Sequence, residues 1–149
     1  MTDRRPRLDP ATARIRNALR AEVRSADAAP LIVAVSGGAD SMALTAAAAF
    51  LHRRGEARFL ACTVDHGLQP GSAEVAARVV ERVEVLGLPI ARVTAAVDPD
   101  HPGGLEAAAR RGRYAALARF AADVTTSAAA AGTASAADAA RSAAHDTLP

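Results

Sequence analysis

Residues 31–41 read LIVAVSGGADS, and this stretch decides the fold of the chain. The apolar run LIVAV favours a strand that is buried on both faces of a sheet. A glycine turn follows it, and the run from Met42 to Ala47 predicts a helix. A strand, a tight glycine turn and a helix present free backbone N–H groups to an anion, and glycine lets a phosphate approach closely. The stretch therefore predicts a phosphate-binding loop, with a glycine turn that binds nothing as the alternative.

The predicted loop differs from the two commonest nucleotide-binding loops. It has neither the GKS or GKT ending of a Walker A loop nor the G-x-G-x-x-G pattern of dinucleotide-binding proteins. Ser36 and Ser41 add hydroxyl donors, and Asp40 has the carboxylate that commonly holds Mg²⁺ beside phosphates. The residues of this loop therefore suit a nucleotide that binds together with Mg²⁺.

Apolar runs that alternate with amphipathic stretches predict a βαβαβα order behind a leading helix. Strands are expected at 31–35, 59–64 and 89–93, and helices at 10–24, from the glycine turn to about 54, from 72 to Gly87, and at 105–122. Right-handed crossovers then give an α/β fold with a doubly wound parallel sheet that is covered on both faces.

Composition divides the chain into three segments. We expect residues 1–30 to form a basic N-terminal helix and linker, 31–123 a partial nucleotide-binding domain, and 124–149 a tail rich in Ala, Ser and Thr. These three residue types make up 18 of the 25 residues in 125–149, which leaves too little apolar surface to order the segment. We expect the tail to be disordered and the sheet to be incomplete.

Charge and cysteine content narrow the function classes. Residues 1–24 carry seven Arg against three acidic residues, which suits either contact with RNA phosphates or a solvated helix face.

Cys62 is the only cysteine, so neither an internal disulfide nor a C-x-x-C centre is possible, and its strand position favours a core residue over a nucleophile. An apolar leader and an 18-residue apolar run are both missing, so we expect a cytoplasmic protein without a membrane span.

Two further groups of residues carry chemistry. Asp65 and His66 follow the second strand, at the sheet edge where ligands bind in open α/β folds, although Asp65 also suits a turn in which it accepts nearby N–H groups. Glu106, Arg110 and Arg113 recur at i, i+4 and i+7 on one face of the last helix. That face suits either a surface ion pair or contact with phosphate or RNA backbone.

The SGGADS loop resembles the pyrophosphate loop of the N-type ATP pyrophosphatases, the PP-loop superfamily. VSGGADSMAL, VDHGLQPGSAEVA and GGLEAAARRGRYAAL, in this order, are similar to motifs of the tRNA(Ile)-lysidine synthetase family over about residues 28–123. The resemblance implies an adenine nucleotide alpha hydrolase-like, Rossmann-like fold and a ligase that converts ATP to AMP and diphosphate. In this family ATP adenylates the wobble cytidine of tRNA(Ile), and L-lysine then displaces AMP to form lysidine.

The resemblance also implies a role for particular residues. The residues expected to bind ATP are Ser36, Gly37, Gly38, Ala39, Asp40, Ser41, Asp65 and His66. Asp40 is also expected to bind Mg²⁺ and, with Arg113, to take part in catalysis. The residues expected to bind the substrate are Glu106, Arg110, Arg113 and Tyr114.

The sequence departs from the family pattern after about Asp123. The family continues with an H-x-x-D-D-x-x-E-T helix and tRNA-binding regions, and neither follows here. We therefore expect a truncated or frame-shifted product that is incomplete in catalysis, with unknown oligomeric state. A tRNA thiolase of the same superfamily is one alternative, disfavoured by the missing C-x-x-C, and an inactive ATP-binding fragment is the other.

Overall fold

The sheet has three parallel strands in the order β1-β2-β3. The structure is a computed structural model and describes residues 8–25 and 30–131. Its elements are α1 (Pro10–Ser25), β1 (Leu31–Ala34), α2 (Ala39–Arg53), β2 (Phe59–Asp65), α3 (Ser72–Val85), β3 (Ile90–Thr94) and α4 (Gly104–Ala131). The predicted α/β class and parallel sheet are confirmed, and the strand boundaries lie within one residue of the predicted ones.

Helices cover both faces of the sheet, with α2 and α3 on one face and α4 on the other. Right-handed connections from β1 to β2 and from β2 to β3 place α2 and α3 on the same face. The core under these helices includes Leu51, Phe59 and Val83. On the other face α4 contributes Phe120 and Val124 to a second core.

Strand β2 contributes alternate side chains to the two cores. Phe59 and Ala61 face α2 and α3, whereas Leu60 and Cys62 face α4. All four side chains are at most 1 % exposed. This period of two in an almost wholly apolar strand is typical of a parallel sheet that is buried on both faces.

Parallel pairing continues beyond the strand ends and fixes the edge where the loops begin. The Val35 N–H donates to the Cys62 carbonyl at 2.8 Å, and the Ala95 N–H donates to the Asp65 carbonyl at 2.8 Å. The segments that follow β1, β2 and β3 therefore leave the sheet at one common edge.

The leading helix α1 packs on α2 through both apolar and charged side chains. Asp9 accepts the Thr12 N–H at 2.9 Å and so caps the first turn of the helix. The Arg16 guanidinium lies 3.5 Å from the centre of the Phe50 ring, and Arg20 pairs with Glu56 at 2.5 Å. Hydrogen bonding from Arg20, aided by Arg54, lowers the pKa of Glu56 to about 2. Part of the N-terminal arginine cluster therefore holds the fold together.

Helix α4 is longer than the sequence predicts. It was expected to end at Ala122, but it continues to Ala131, and Val124 is only 1 % exposed. Val124 lies one turn after Phe120 and faces the sheet, and alanine favours the helix that follows. The first residues of the predicted tail are thus helical, while 132–149 lie outside the described residues, so the three-segment division stays a prediction.

Two local contacts shape the ends of α2 and α3. Gly71, with φ of 84°, is the N-cap residue of α3, and Ser72 begins the helix. His52 is half-buried and accepts the Phe59 N–H on Nδ1 at 3.0 Å. Burial beside Arg53 lowers the pKa of His52, which favours the neutral ring that can accept this hydrogen bond.

Gly112 marks the closest approach of α4 to the segment after β3, because a Cβ atom there would overlap the Ala96 carbonyl oxygen. Alanine in place of glycine normally stabilises a helix by about 1 kcal/mol, whereas overpacking costs about 1–3 kcal/mol. We expect Gly112→Ala to lower the free energy of unfolding by about 1–2 kcal/mol in urea denaturation. Ala118→Gly, on the exposed side of α4, measures the propensity effect alone. Stabilisation by Gly112→Ala would contradict the close approach.

Candidate functional site

A cavity of about 640 Å³ opens at the carboxyl ends of β1 and β2, between α3 and α4. This volume lies in the range of small-molecule sites, and ligands of open α/β sheets bind at this edge. The predicted site residues that line it are Ser36, Asp65, His66, Arg113 and Tyr114. The structure therefore brings members of all three sequence motifs to one cavity.

The phosphate loop is held by a ring of hydrogen bonds among its own residues. Ser36 Oγ donates to Ser41 Oγ at 3.1 Å, and Ser41 Oγ donates to the Gly38 carbonyl at 2.9 Å. The Gly38 N–H points at Ser36 Oγ from 3.5 Å. Helix α2 begins directly afterwards at Ala39, and the first N–H groups of a helix have no partners within it. This arrangement offers an anion several donors together with the positive end of the helix dipole.

The two glycines of the loop meet different requirements. Gly37 has φ of +86°, and a Cβ atom on it would lie 2.7 Å from Val79 Cγ2 on α3. Gly38 has an ordinary extended backbone, with φ of −71° and ψ of 163°. A Cβ atom on Gly38 would meet only Ser36 Oγ, at 3.7 Å. Gly37 is therefore required by the fold, whereas Gly38 keeps space open above the loop.

Asp40 lies in the first turn of α2 with an exposed side chain. Within residues 30–131 its carboxylate has no hydrogen-bond or ion-pair partner, so it is available to a ligand. The described part of the chain holds no group of three His, Cys, Asp or Glu that could bind a metal ion. A single free carboxylate next to a phosphate loop fits Mg²⁺, which commonly takes one or two carboxylates and completes its shell with phosphates and water.

Asp65 and His66 turn away from the end of β2 with different partners. Asp65 Oδ1 accepts the Gly67 N–H at 3.0 Å. This bond, together with hydrogen bonding from Ser72 and the charges of Arg92 and His66, holds the pKa of Asp65 below its usual value. Asp65 therefore stabilises the turn that leads into α3, which is the second of the two roles that the sequence allows it. His66 Nδ1 is buried without a partner, which leaves a polar atom available to a ligand in the cavity.

Helix α4 divides its motif between the cavity and the surface. Arg113 and Tyr114 line the cavity, whereas Glu106 and Arg110 are exposed and lie outside its lining. Glu106 and Arg110 form no ion pair in the described structure. The Arg110 and Arg113 guanidiniums instead lie 5.3 and 5.4 Å from the centre of the Tyr114 ring. An exposed aromatic ring flanked by two cations suits a planar, electron-rich group such as a nucleobase.

Several lining residues were not predicted as site residues. Leu68, Val75 and Leu117 lie within the quoted motifs, but their apolar side chains indicate packing and not ligand binding. Thr63 lies inside a buried strand and reaches the cavity through the strand register. Cys62 also borders it, but burial raises the pKa of its thiol to about 12. The thiol is thus protonated at neutral pH, and the predicted core role of Cys62 is confirmed by its complete burial.

Fold and cavity together define an α/β protein with a phosphate-loop site at the edge of a parallel sheet. A family model of the PP-loop domain matches residues 10–138 of the chain. This match covers most of the sequence, and the chain belongs to the PP-loop domain family.

Curated relatives carry a more specific description. A tRNA(Ile)-lysidine synthase of Salinispora tropica is 47 % identical over 115 residues, which cover 76 % of this chain and 34 % of the relative. The enzyme of the same description from Rhodococcus jostii is 50 % identical over 111 residues, which cover 73 % of this chain and 32 % of the relative. That of Streptomyces coelicolor is 56 % identical over 90 residues, which cover 60 % of this chain and 25 % of the relative. The resemblance seen in the sequence is confirmed, and the chain matches between a quarter and a third of the length of these relatives.

Asp65 makes the stability of the chain depend on pH. Its pKa in the folded state lies below the usual 3.8, so its contribution is present at neutral pH and is lost as pH falls through that folded pKa. We expect Asp65→Ala to lower the free energy of unfolding by about 1 kcal/mol at pH 7, and by less near pH 3. Urea denaturation at both pH values, with Asp123→Ala on the exposed face of α4 as control, measures this difference. An effect of Asp65→Ala that is the same at both pH values would contradict the role of the charge.

Proposed function

We propose that the chain provides the ATP-binding domain of a tRNA(Ile)-lysidine synthase. The observation that carries this proposal is the meeting of the three motifs at one cavity, with Ser36, His66 and Arg113 on its walls. The same motifs lie in the part of the chain that is 47 % identical to the Salinispora tropica enzyme. The proposed activity is that of a ligase that cleaves ATP to AMP and diphosphate and joins L-lysine to the wobble cytidine of tRNA(Ile).

In the proposed reaction the loop binds the triphosphate and the cavity receives the base. The N–H groups of Gly38 and of the first turn of α2 bind phosphate oxygens, and Asp40 would hold Mg²⁺, which would neutralise phosphate charge there. Cytosine O2 attacks the α-phosphorus and diphosphate leaves; the lysine amine then attacks carbon 2 of the ring and AMP leaves. Arg113 stabilises negative charge on the phosphate, so positioning and electrostatics carry the reaction without a covalent enzyme intermediate.

The α4 motif is assigned to the nucleic acid. Tyr114, which is 53 % exposed at the cavity mouth, offers a face on which an unstacked base can lie. Arg110 and Glu106 continue this face of α4 outside the cavity, and we assign them to contacts with the tRNA backbone and sugars around the target nucleotide.

The proposed location is the cytoplasm, where tRNA is modified. None of the helices in residues 8–25 and 30–131 has the length and apolar character needed to cross a membrane. A tRNA thiolase is the less favoured alternative, because sulfur transfer needs a reactive thiol and burial raises the pKa of Cys62 to about 12.

ATP binding to the phosphate loop is the first test. We expect isothermal titration calorimetry to detect ATP with Mg²⁺, Asp40→Ala to weaken the Mg²⁺-dependent part, and Gly38→Val to abolish binding by filling the space above the loop. Gly38 has an extended backbone and room for a side chain, so loss of binding does not follow from misfolding. Circular dichroism provides the folding control. Equal ATP affinity of the unaltered chain and Gly38→Val would contradict the site.

A chimera tests the specific reaction. Residues 10–123 of this chain replace the corresponding residues of the Salinispora tropica enzyme, and ATP-dependent incorporation of labelled lysine into an isoleucine tRNA with a wobble cytidine is measured. We expect incorporation by the chimera and at least a hundredfold loss with Arg113→Ala, because removal of one preorganised charge from a reacting centre has about this effect. A folded, ATP-binding chimera without incorporation, beside an active parent enzyme, would contradict the assignment.

A further inference from the structure

We propose that Arg82 of α3 is a positioning residue that fixes the Gly37–Gly38 peptide group and thereby aims the Gly38 N–H at the phosphates of ATP. The proposal rests on the proposed function of the loop and adds a residue from outside its motifs. Arg82 does not line the cavity and belongs to none of the three motifs.

Gly37 is held from the α3 side by two neighbouring side chains. Arg82 Nη1 donates to the Gly37 carbonyl at 3.3 Å. Val79 packs so closely that a Cβ atom on Gly37 would lie 2.7 Å from its Cγ2. Residues three apart lie on the same face of a helix, so Val79 and Arg82 contact this turn of the loop from the same side.

The carbonyl that Arg82 holds belongs to the same peptide group as the Gly38 N–H. A trans peptide is planar, and its C=O and N–H point in opposite directions. Because the Gly37 oxygen is drawn towards α3, the Gly38 hydrogen points away from α3 and into the loop, where it faces Ser36 Oγ at 3.5 Å. The bond is long, so an incoming phosphate oxygen can replace the hydroxyl as acceptor.

Among the described residues, the only other hydrogen bond of this peptide group is the long one from the Gly38 N–H to Ser36 Oγ. Ser41 Oγ donates to the Gly38 carbonyl, which belongs to the next peptide group along the chain. Gly37, at φ of +86°, has the wide conformational freedom of glycine, so the peptide after it can rotate unless it is anchored. In the described structure the guanidinium of Arg82 is the hydrogen-bond donor that provides the anchor.

The experiment compares three variants of the full chain. Arg82→Met removes the donor with little change of length, Arg82→Lys retains a cationic donor, and Arg78→Met alters an exposed arginine one turn earlier on α3. We expect Arg82→Met to weaken ATP binding about three- to tenfold, the effect of one hydrogen bond, and to weaken AMP binding less. Arg82→Lys is expected to stay within about twofold of the unaltered chain, and Arg78→Met to have no effect.

A second measurement needs no nucleotide. In ¹⁵N-labelled chain, we expect the Gly38 amide resonance to shift or broaden in Arg82→Met but not in Arg78→Met. An unchanged Gly38 resonance, or equal ATP affinity of the two methionine variants, overturns the proposal. If the unaltered chain binds no ATP while the Gly38 resonance still moves, the proposed function fails and the anchoring of the peptide by Arg82 stands.

Discussion

The parallel pairing of β2 with both of its neighbours is the constraint on which the rest of the structure depends. Leu31 pairs with Phe59 and Ala61 with Ile90, so this single register fixes all three strands. Its side chains enter both cores, and burying each large apolar one contributes about 2 kcal/mol. Because the strands are parallel and in register, the loops after β1 and β2 open at one edge. The cavity is therefore a consequence of how the sheet is built.

Helix α3 connects two parts of the site that are separate in the sequence. Asp65 holds the turn that leads into the helix, through the Gly67 N–H and Ser72. One face of the same helix supports Gly37 of the phosphate loop. The turn after β2 and the phosphate loop therefore both contact the same helix.

Local patterns in the sequence predict the strands and the glycine turn well, because each apolar run is short and β-branched and is bounded by residues that favour turns. The extent of α4 was missed because Val124 stands among small residues, and its burial depends on its phase relative to Phe120. The sequence also left open whether Arg16 and Arg20 face solvent, because it does not show that Arg16 stacks on Phe50 and that Arg20 pairs with Glu56. Arg82 could not be predicted, because its contact crosses 45 residues of sequence and depends on the packing of α3.

The proposed nucleotide site draws on all three motifs. Hydrogen exchange measured by mass spectrometry, with and without ATP and Mg²⁺, tests it directly because exchange reports local opening segment by segment. We expect slower exchange in the presence of ATP at 36–42, 65–69 and 110–117 together, with no change at 52–58, at the far end of α2. Protection confined to one of these segments, or equal protection across the chain, would contradict a single site shared by the three motifs.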